Sequence, residues 1–333
     1  MTSPGQSHYA FIVVRDDGAQ TAALRGAVVA IGNFDGVHRG HRAVIEAAMS
    51  RAQALGTKAV ALTLEPHPRL FFRPGEPLFR LGDERAKLRL LSTSGLDGAI
   101  VLTFDASLAK VTAENFVSRI LVERLGVRGV AIGFDFHFGK DRGGSPAFLA
   151  DEGAKRGFAV DIVPPLEDEG RPVSSGAIRN ALAAGKIVEA NELLGYPWFV
   201  SGEVVHGEKR GRDLGFPTAN IRLDPACGLK HGIYAVRVGL GGKRHDGVAS
   251  FGRRPQFDNG APLLEVFLFD FSGDLYTASL DVAFLAWLRS EAKFDSIEAL
   301  KRQMNEDSRR AREALWRAGD AFPPLGDLAT EGP

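Results

Sequence analysis

The first residues in this chain with both the types and the spacing for chemistry are His38 and His41, three apart, with Gly40 directly before the second. They close the segment Gly32-Asn33-Phe34-Asp35-Gly36-Val37-His38-Arg39-Gly40-His41. Imidazole nitrogens donate to phosphate oxygens, Gly40 leaves a phosphate room to approach the backbone, and the free N–H groups of a helix start attract anions. The pair therefore suits contact with a phosphate; two polar surface histidines on a capped helix are the other reading. It is not a P-loop, because GxxxxGK[ST] occurs nowhere and the segment holds no lysine. A zinc site would need a third ligand at suitable spacing, which does not accompany the two histidines.

A second constellation is Gly211-Arg212-Asp213-Leu214-Gly215-Phe216-Pro217-Thr218-Ala219-Asn220. Thr218 and Asn220 stand two apart, so in an extended segment their side chains point the same way. A hydroxyl and an amide carbonyl converging there would help bind a magnesium ion held mostly by ATP phosphates and water; a plain turn is the other reading. Several single residues also have two readings. His67, between two prolines, is loop structure or a substrate contact; Asp35 and Asp135 cap turns or meet a ligand; Arg142 and Arg179 are solvated or hold one.

Two kinds of framework position these groups. AVVAIG at 27–32 is a continuous apolar run that suits a buried parallel strand, and from Arg39 to Leu55 the spacing of Val44, Ile45, Ala48, Ala52 and Leu55 predicts a helix. His38 and His41 thus sit where a strand turns into a helix. Strands at 59–64, 98–102, 129–133 and 158–163 alternate with helices near 83–91, 112–125 and 145–156, the pattern of a mostly parallel α/β sheet. The prolines of EPHP at 65–68 predict an extended loop. Two short helices follow, 174–185 and a second ending at Gly195. After Gly195 come short β-rich runs at 199–205, 233–238, 263–269 and 275–284, separated by turns without crossover helices, which predicts a small antiparallel barrel. An amphipathic helix from Ser296 to Arg317 closes the pattern.

At 333 residues the chain is long for one domain, and two is the natural expectation. Lys plus Arg equals Asp plus Glu, 41 each, so no excess charge exists to track a nucleic-acid backbone. A lone cysteine, Cys227, excludes an internal disulfide and a cysteine metal cluster, and reads as a loop or edge residue. With no signal-like start and no long apolar span, the expected compartment is the cytoplasm, without a membrane partner. No coiled-coil or exposed apolar repeat identifies an interface, which leaves the oligomeric state open.

The segment HRGH resembles the HxGH signature of the nucleotidyltransferase superfamily, and its longer form GNFDGVHRGH is similar to that of the bacterial bifunctional riboflavin kinase/FAD synthetases. TLEPHP at 63–68, GFDFHFG at 133–139 with Arg142, VSSGAIR at 173–179, LGFPTAN at 214–220, Glu265 before LFDF, and LRSE at 288–291 with Phe294 also match that family. The resemblance implies a nucleotidyltransferase-type, Rossmann-like parallel sheet followed by a riboflavin-kinase-type barrel with a terminal helix. It implies an FMN adenylyltransferase domain at 1–185, a linker helix and hinge at 186–197, a riboflavin kinase domain at 198–318 and a tail at 319–333. Riboflavin would be phosphorylated by ATP to FMN, and FMN adenylylated by ATP to FAD; retention of only one activity, or a non-catalytic flavin or nucleotide sensor, is the alternative.

The same resemblance implies the roles. His38, His41 and Glu265 would be catalytic, Glu265 as the base for the ribityl hydroxyl; otherwise Glu265 reads as an outward-facing strand charge. Gly32, Asn33, Phe34, Asp35, Gly40, Ser174, Ser175, Arg179, Gly211, Gly215, Pro217, Thr218 and Asn220 would bind nucleotide, Thr218 and Asn220 with Mg2+. His67, Asp135, His137, Arg142 and Arg289 would meet the flavin. The chain departs from the family pattern at His137 (Arg), Gly176 (Thr), Ser250 (Asn), Gln256 (Thr) and Thr277 (Gly). The first two would lower nucleotide affinity or alter pH dependence, and the loop Gly247–Phe257 would change shape without loss of kinase chemistry.

Overall fold

The computed structural model describes residues 11–16, 21–168, 170–206, 216–253 and 262–328. The chain forms two compact units, Met1–Pro77 with Asp83–Val173 and Pro324–Pro333, and Leu78–Gly82 with Ser174–Pro323. No helix among the described residues is long and apolar enough to cross a membrane.

In the first unit the elements run β1 (Ile12–Arg15), α1 (Thr21–Leu24), β2 (Val28–Ile31), α2 (Arg39–Leu55), β3 (Ala59–Glu65), α3 (Pro68–Phe72), α4 (Glu84–Ser92), β4 (Gly98–Thr103), α5 (Ala113–Asn115), β5 (Gly129–Gly133), α6 (Pro146–Arg156) and β6 (Ala159–Val163), then a small hairpin of β7 (Glu167–Asp168) and β8 (Arg171–Pro172). The six-stranded sheet is parallel throughout, in the order β1-β4-β3-β2-β5-β6. All four residues of β2 are buried, because helices cover both faces of such a sheet and leave no solvated side to alternate with. From β2 the chain steps through β3 to β4 on one side, then returns to place β5 on the other side of β2. The order therefore reverses beside β2, and in open α/β sheets the crevice outside the strands' carboxyl ends at such a switch point takes the ligand. The segments from Gly32 and from Phe134 leave β2 and β5 at those ends.

Two expectations change here, and one strand was missed. EPHP does not continue as a loop: Pro68 opens α3, a position where proline's missing N–H costs nothing, and His67 caps it. The helix expected over 112–125 is one α turn followed by a π-helical stretch, Phe116–Arg124, whose wider turns blur the 3.6-residue spacing. The strand β1 went unrecognised at its length of only four residues.

The second unit carries α7 (Ser175–Ala184), α8 (Ile187–Leu194), β9 (Phe199–Val205), β10 (Thr218–Arg222), β11 (Gly232–Leu240), β12 (Lys243–Arg253), β13 (Pro262–Leu268), β14 (Ser279–Arg289) and α9 (Ile297–Arg317). Its strands close an antiparallel barrel in the order β10-β13-β12-β11-β14-β9, with β9 returning to pair β10. The parallel sheet followed by a small antiparallel barrel and a terminal helix is the fold class expected from the sequence. Inward positions such as Leu264, Val266, Val282 and Phe284 are fully buried, in the alternation that a barrel wall requires.

The barrel also corrects the sequence reading. Gly247–Arg253 is not loop but part of β12, whose glycines dilute the β signal; Gly247 is needed because a Cβ there would lie 2.5 Å from the Phe267 carbonyl oxygen on the paired strand. The last strand spans 279–289 rather than 275–284, because Asp274 accepts the Tyr276 N–H in a turn and Thr277 takes a φ of 62°. That left-handed conformation is strained for a β-branched residue and explains the family's glycine at this position. Thr277→Gly is expected to stabilise the barrel by about 1 kcal/mol, measured as a raised thermal midpoint. Cys227 lies buried in a loop, its thiol pushed up to about 11 by that burial, so it stays protonated.

Candidate functional site

At the switch point, α2 starts at Arg39 with His38 as its N-cap. His38 Nδ1 accepts the His41 backbone N–H at 3.3 Å, which leaves Nε2 as the ring nitrogen that carries a proton. The two imidazoles stack with ring centres 3.6 Å apart and an interplanar angle of 19°. Phe34, fully buried, packs edge-on against His41 with ring centres 5.3 Å apart. The loop is strained: Phe34 and Val37 both have left-handed φ, 50° and 37°, a feature that clusters at functional sites. Gly40 packs tightly: a Cβ there would lie 3.2 Å from the His38 ring and 3.3 Å from the Val173 carbonyl oxygen. Asp35 is buried, Asn33 exposed and Gly32 lies under the Phe34 ring.

The His41 pKa is pushed well below its usual 6.5, first by burial, then by the His38 imidazole and the Lys87 ammonium. Its Nδ1 is buried without a hydrogen-bond partner among the described residues. The folded protein thus holds His41 neutral, whereas an unfolded chain protonates it below about pH 6.5. More protons bound in the unfolded state means that stability falls as pH drops below that value and is regained above it. Denaturant titrations at about pH 5.5 and pH 7.5 are expected to show this loss, and His41→Asn to reduce it.

Of the other expected ligand-facing residues in this unit, His67 accepts the Arg69 N–H at 3.2 Å as the cap of α3, and His137 Nδ1 lies 2.9 Å from its neighbour Asp135's carbonyl oxygen. Asp135, His137 and Arg142 are exposed on the segment after β5, and Arg142 has a left-handed φ of 56°. The structure brings these to the same end of the sheet as His38 and His41.

In the second unit Ser174 caps α7 by accepting the Ala177 N–H at 3.2 Å, Ser175 begins the helix, and Arg179 donates to the Phe79 carbonyl at 2.6 Å. Gly176 is exposed, with only the Ser174 hydroxyl near its open side. On the barrel, Glu265 stands opposite Asn220 on one neighbouring strand and Ser250 on the other. Its chain neighbours Leu264 and Val266 fill the interior, so Asn220, Glu265 and Ser250 lie on the opposite face of the barrel wall, where Asn220 is itself buried, with Thr218 on the same face two residues from Asn220. The row continues through Ile233 to Arg289. Pro217 is exposed just before β10; Gly211, Gly215 and Gln256 lie outside the described residues.

Two contributors were not recognised from sequence. Asp307 of α9 grips Arg289 with two oxygens, Nε–Oδ1 at 2.8 Å and Nη2–Oδ2 at 2.6 Å, and Arg289 lies 5.8 Å over the Phe294 ring. The available signal was its place on the stripe Asp307–Ala311–Leu315, all buried. Lys87 of α4 pairs with Glu65 at 2.6 Å; it sits three and four residues before buried Leu90 and Leu91, a lysine on the apolar face.

Two family models match, FAD synthetase over residues 20–177 and riboflavin kinase over 194–315. Proteins named bifunctional riboflavin kinase/FMN adenylyltransferase are similar along most of their length. That of Pseudomonas fluorescens is 44% identical over 289 residues, 86% of this chain and 93% of its own. That of Escherichia coli K12 is 40% identical, covering 88% of this chain and 94% of its own. A crystal structure described as a macrolide-efflux protein from Streptococcus pneumoniae superposes with a TM-score of 0.82 at 31% identity, covering 91% of this chain and 99% of that one. Two transfer domains in one chain, each matched in order by full-length relatives, lead to one assignment: this chain belongs to the bifunctional riboflavin kinase/FMN adenylyltransferase family.

Proposed function

We infer that this chain performs two consecutive transfers, riboflavin to FMN at the barrel and FMN to FAD at the crevice beside β2. The observation that carries the reading is the stacked imidazole pair on the N-terminus of α2 at the sheet's switch point, a geometry suited to a polyphosphate. In the first reaction the ribityl 5′-oxygen forms a bond to the γ-phosphorus of ATP, its proton passes to Glu265, and ADP leaves. In the second, an FMN phosphate oxygen forms a bond to the α-phosphorus of a second ATP, and pyrophosphate leaves. His38 Nε2–H and His41 stabilise the negative charge that develops, and no covalent enzyme intermediate is required.

Magnesium fits the barrel site by the chemistry of its donors: the Thr218 hydroxyl and Asn220 amide share one face, with the Glu265 carboxylate directly across from Asn220. When bound, it neutralises charge on the transferred phosphate. Gly32, Asn33, Phe34, Asp35 and Gly40 are assigned to nucleotide, as are Ser174, Ser175 and Arg179 and, on the barrel side, Gly211, Gly215 and Pro217. His67, Asp135, His137, Arg142 and Arg289 are assigned to flavin. These assignments rest on the family resemblance. We assign adenylyl transfer to residues 1–185 and phosphorylation to 198–318. The single cysteine supports a cytoplasmic setting, and the balanced charge supports small-molecule partners over nucleic acid.

A time course of riboflavin with ATP and magnesium, resolved by chromatography, tests the reading. FMN is expected first and FAD after it. A protein that accumulates neither flavin nucleotide from riboflavin overturns it.

A further inference from the structure

Beneath the loop that follows β2 lies a buried ammonium that the two histidines alone do not account for. Lys87 is 3% exposed, and its Nζ lies 2.6 Å from Glu65 Oε1. It also donates to Thr63 Oγ1 at 3.0 Å and to the Asn33 carbonyl at 3.3 Å, with the Leu64 carbonyl at 3.5 Å. An ammonium has three N–H donors, and Glu65, Thr63 and the Asn33 carbonyl all stand within their reach. Thr63 Oγ1 in turn donates to the same Asn33 carbonyl at 3.2 Å. Two donors from inside the fold therefore hold Asn33, whose neighbour Phe34 takes the strained left-handed turn and packs against His41.

A buried ion pair is a costly way to hold a fold together, since well-packed apolar residues of similar volume serve as well or better. What an apolar pair cannot do is donate to the Asn33 carbonyl. We propose that Lys87 is a positioning residue for adenylyl transfer: paired with Glu65, it pins the Asn33 carbonyl and so fixes the Phe34–His41 loop in the form that presents both imidazoles to the ATP phosphates. The inference rests on the adenylyl-transfer reading of that loop.

The test uses the full chain as wild type, K87M, K87M/E65Q and T63V, with steady-state FAD formation from FMN, riboflavin phosphorylation in the same preparations, and thermal melts. K87M strands Glu65 and lowers the melting temperature; the double variant leaves no buried charge unpaired and recovers it. Its kcat/KM for ATP in FAD formation is nevertheless expected to stay about 10- to 100-fold below wild type, with a raised KM for ATP, an unchanged KM for FMN and wild-type riboflavin phosphorylation. A merely structural role would lower the amount of active protein and leave both KM values in place. T63V keeps the ion pair and removes one bond to Asn33, so a severalfold rise in the KM for ATP is expected there, and this variant decides the matter if the double variant melts low. Wild-type kinetics for FAD formation in K87M/E65Q, or in T63V, overturn the proposal. A wild-type protein that forms no FAD overturns instead the reading on which it rests.

Discussion

His41→Ala is expected to slow the conversion of FMN to FAD by about 100- to 1,000-fold, which corresponds to roughly 3–4 kcal/mol of lost transition-state stabilisation, while riboflavin phosphorylation continues. The size follows from the setting. A preorganised donor in a site shielded from water acts on developing charge without the reorganisation that water requires. His41 is already held neutral and stacked on His38, and its buried Nδ1 has no hydrogen-bond partner among the described residues. Truncation therefore removes no hydrogen bond at that nitrogen, and the fold loses only the ring contacts with Phe34 and His38, so the thermal midpoint should move less than the rate. The assay supplies FMN and ATP and measures FAD, with FMN formation from riboflavin as the internal control. FAD formation within a few-fold of wild type would show that the imidazole pair does not carry the chemistry.

Glu265→Gln is the complementary experiment. Phosphorylation of riboflavin is expected to fall by about 100- to 10,000-fold, the range for losing a positioned general base, while FMN supplied directly is still converted to FAD. The amide keeps the shape of the carboxylate and one acceptor oxygen, but its NH2 group donates and cannot take a proton at neutral pH. Since Glu265 lies on the face of β13 opposite the interior, between Asn220 and Ser250, with the core side of the strand filled by Leu264 and Val266, the substitution leaves the barrel's packing intact. FMN formation at the wild-type rate would mean that another group accepts the hydroxyl proton. Together the two variants separate the products: the first accumulates FMN from riboflavin, and the second makes FAD only when given FMN.

Much of this molecule is written locally. The apolar run before Gly32, the spacing from Arg39 to Leu55 and the serine before α7 each specify an element through neighbours a few residues apart, and the observed α2 spans that same range. The histidine pair was legible for the same reason, because two side chains three apart at a helix start meet whatever the rest of the chain does. Elements held by distant partners were not. The strand β12, rich in glycine and charge, exists because β11 and β13 flank it, and β14 extends to Arg289 because β11 pairs it that far. Local sequence carries the propensity of a strand but not its neighbours. The same limit hid the buried partners of the sites. Only tertiary structure could show that Lys87 reaches Asn33, 54 positions away, or that Asp307 closes on Arg289 from the terminal helix. A charge on an apolar helical face signals that a partner exists, because burial without one costs too much; which partner it meets is decided by packing alone.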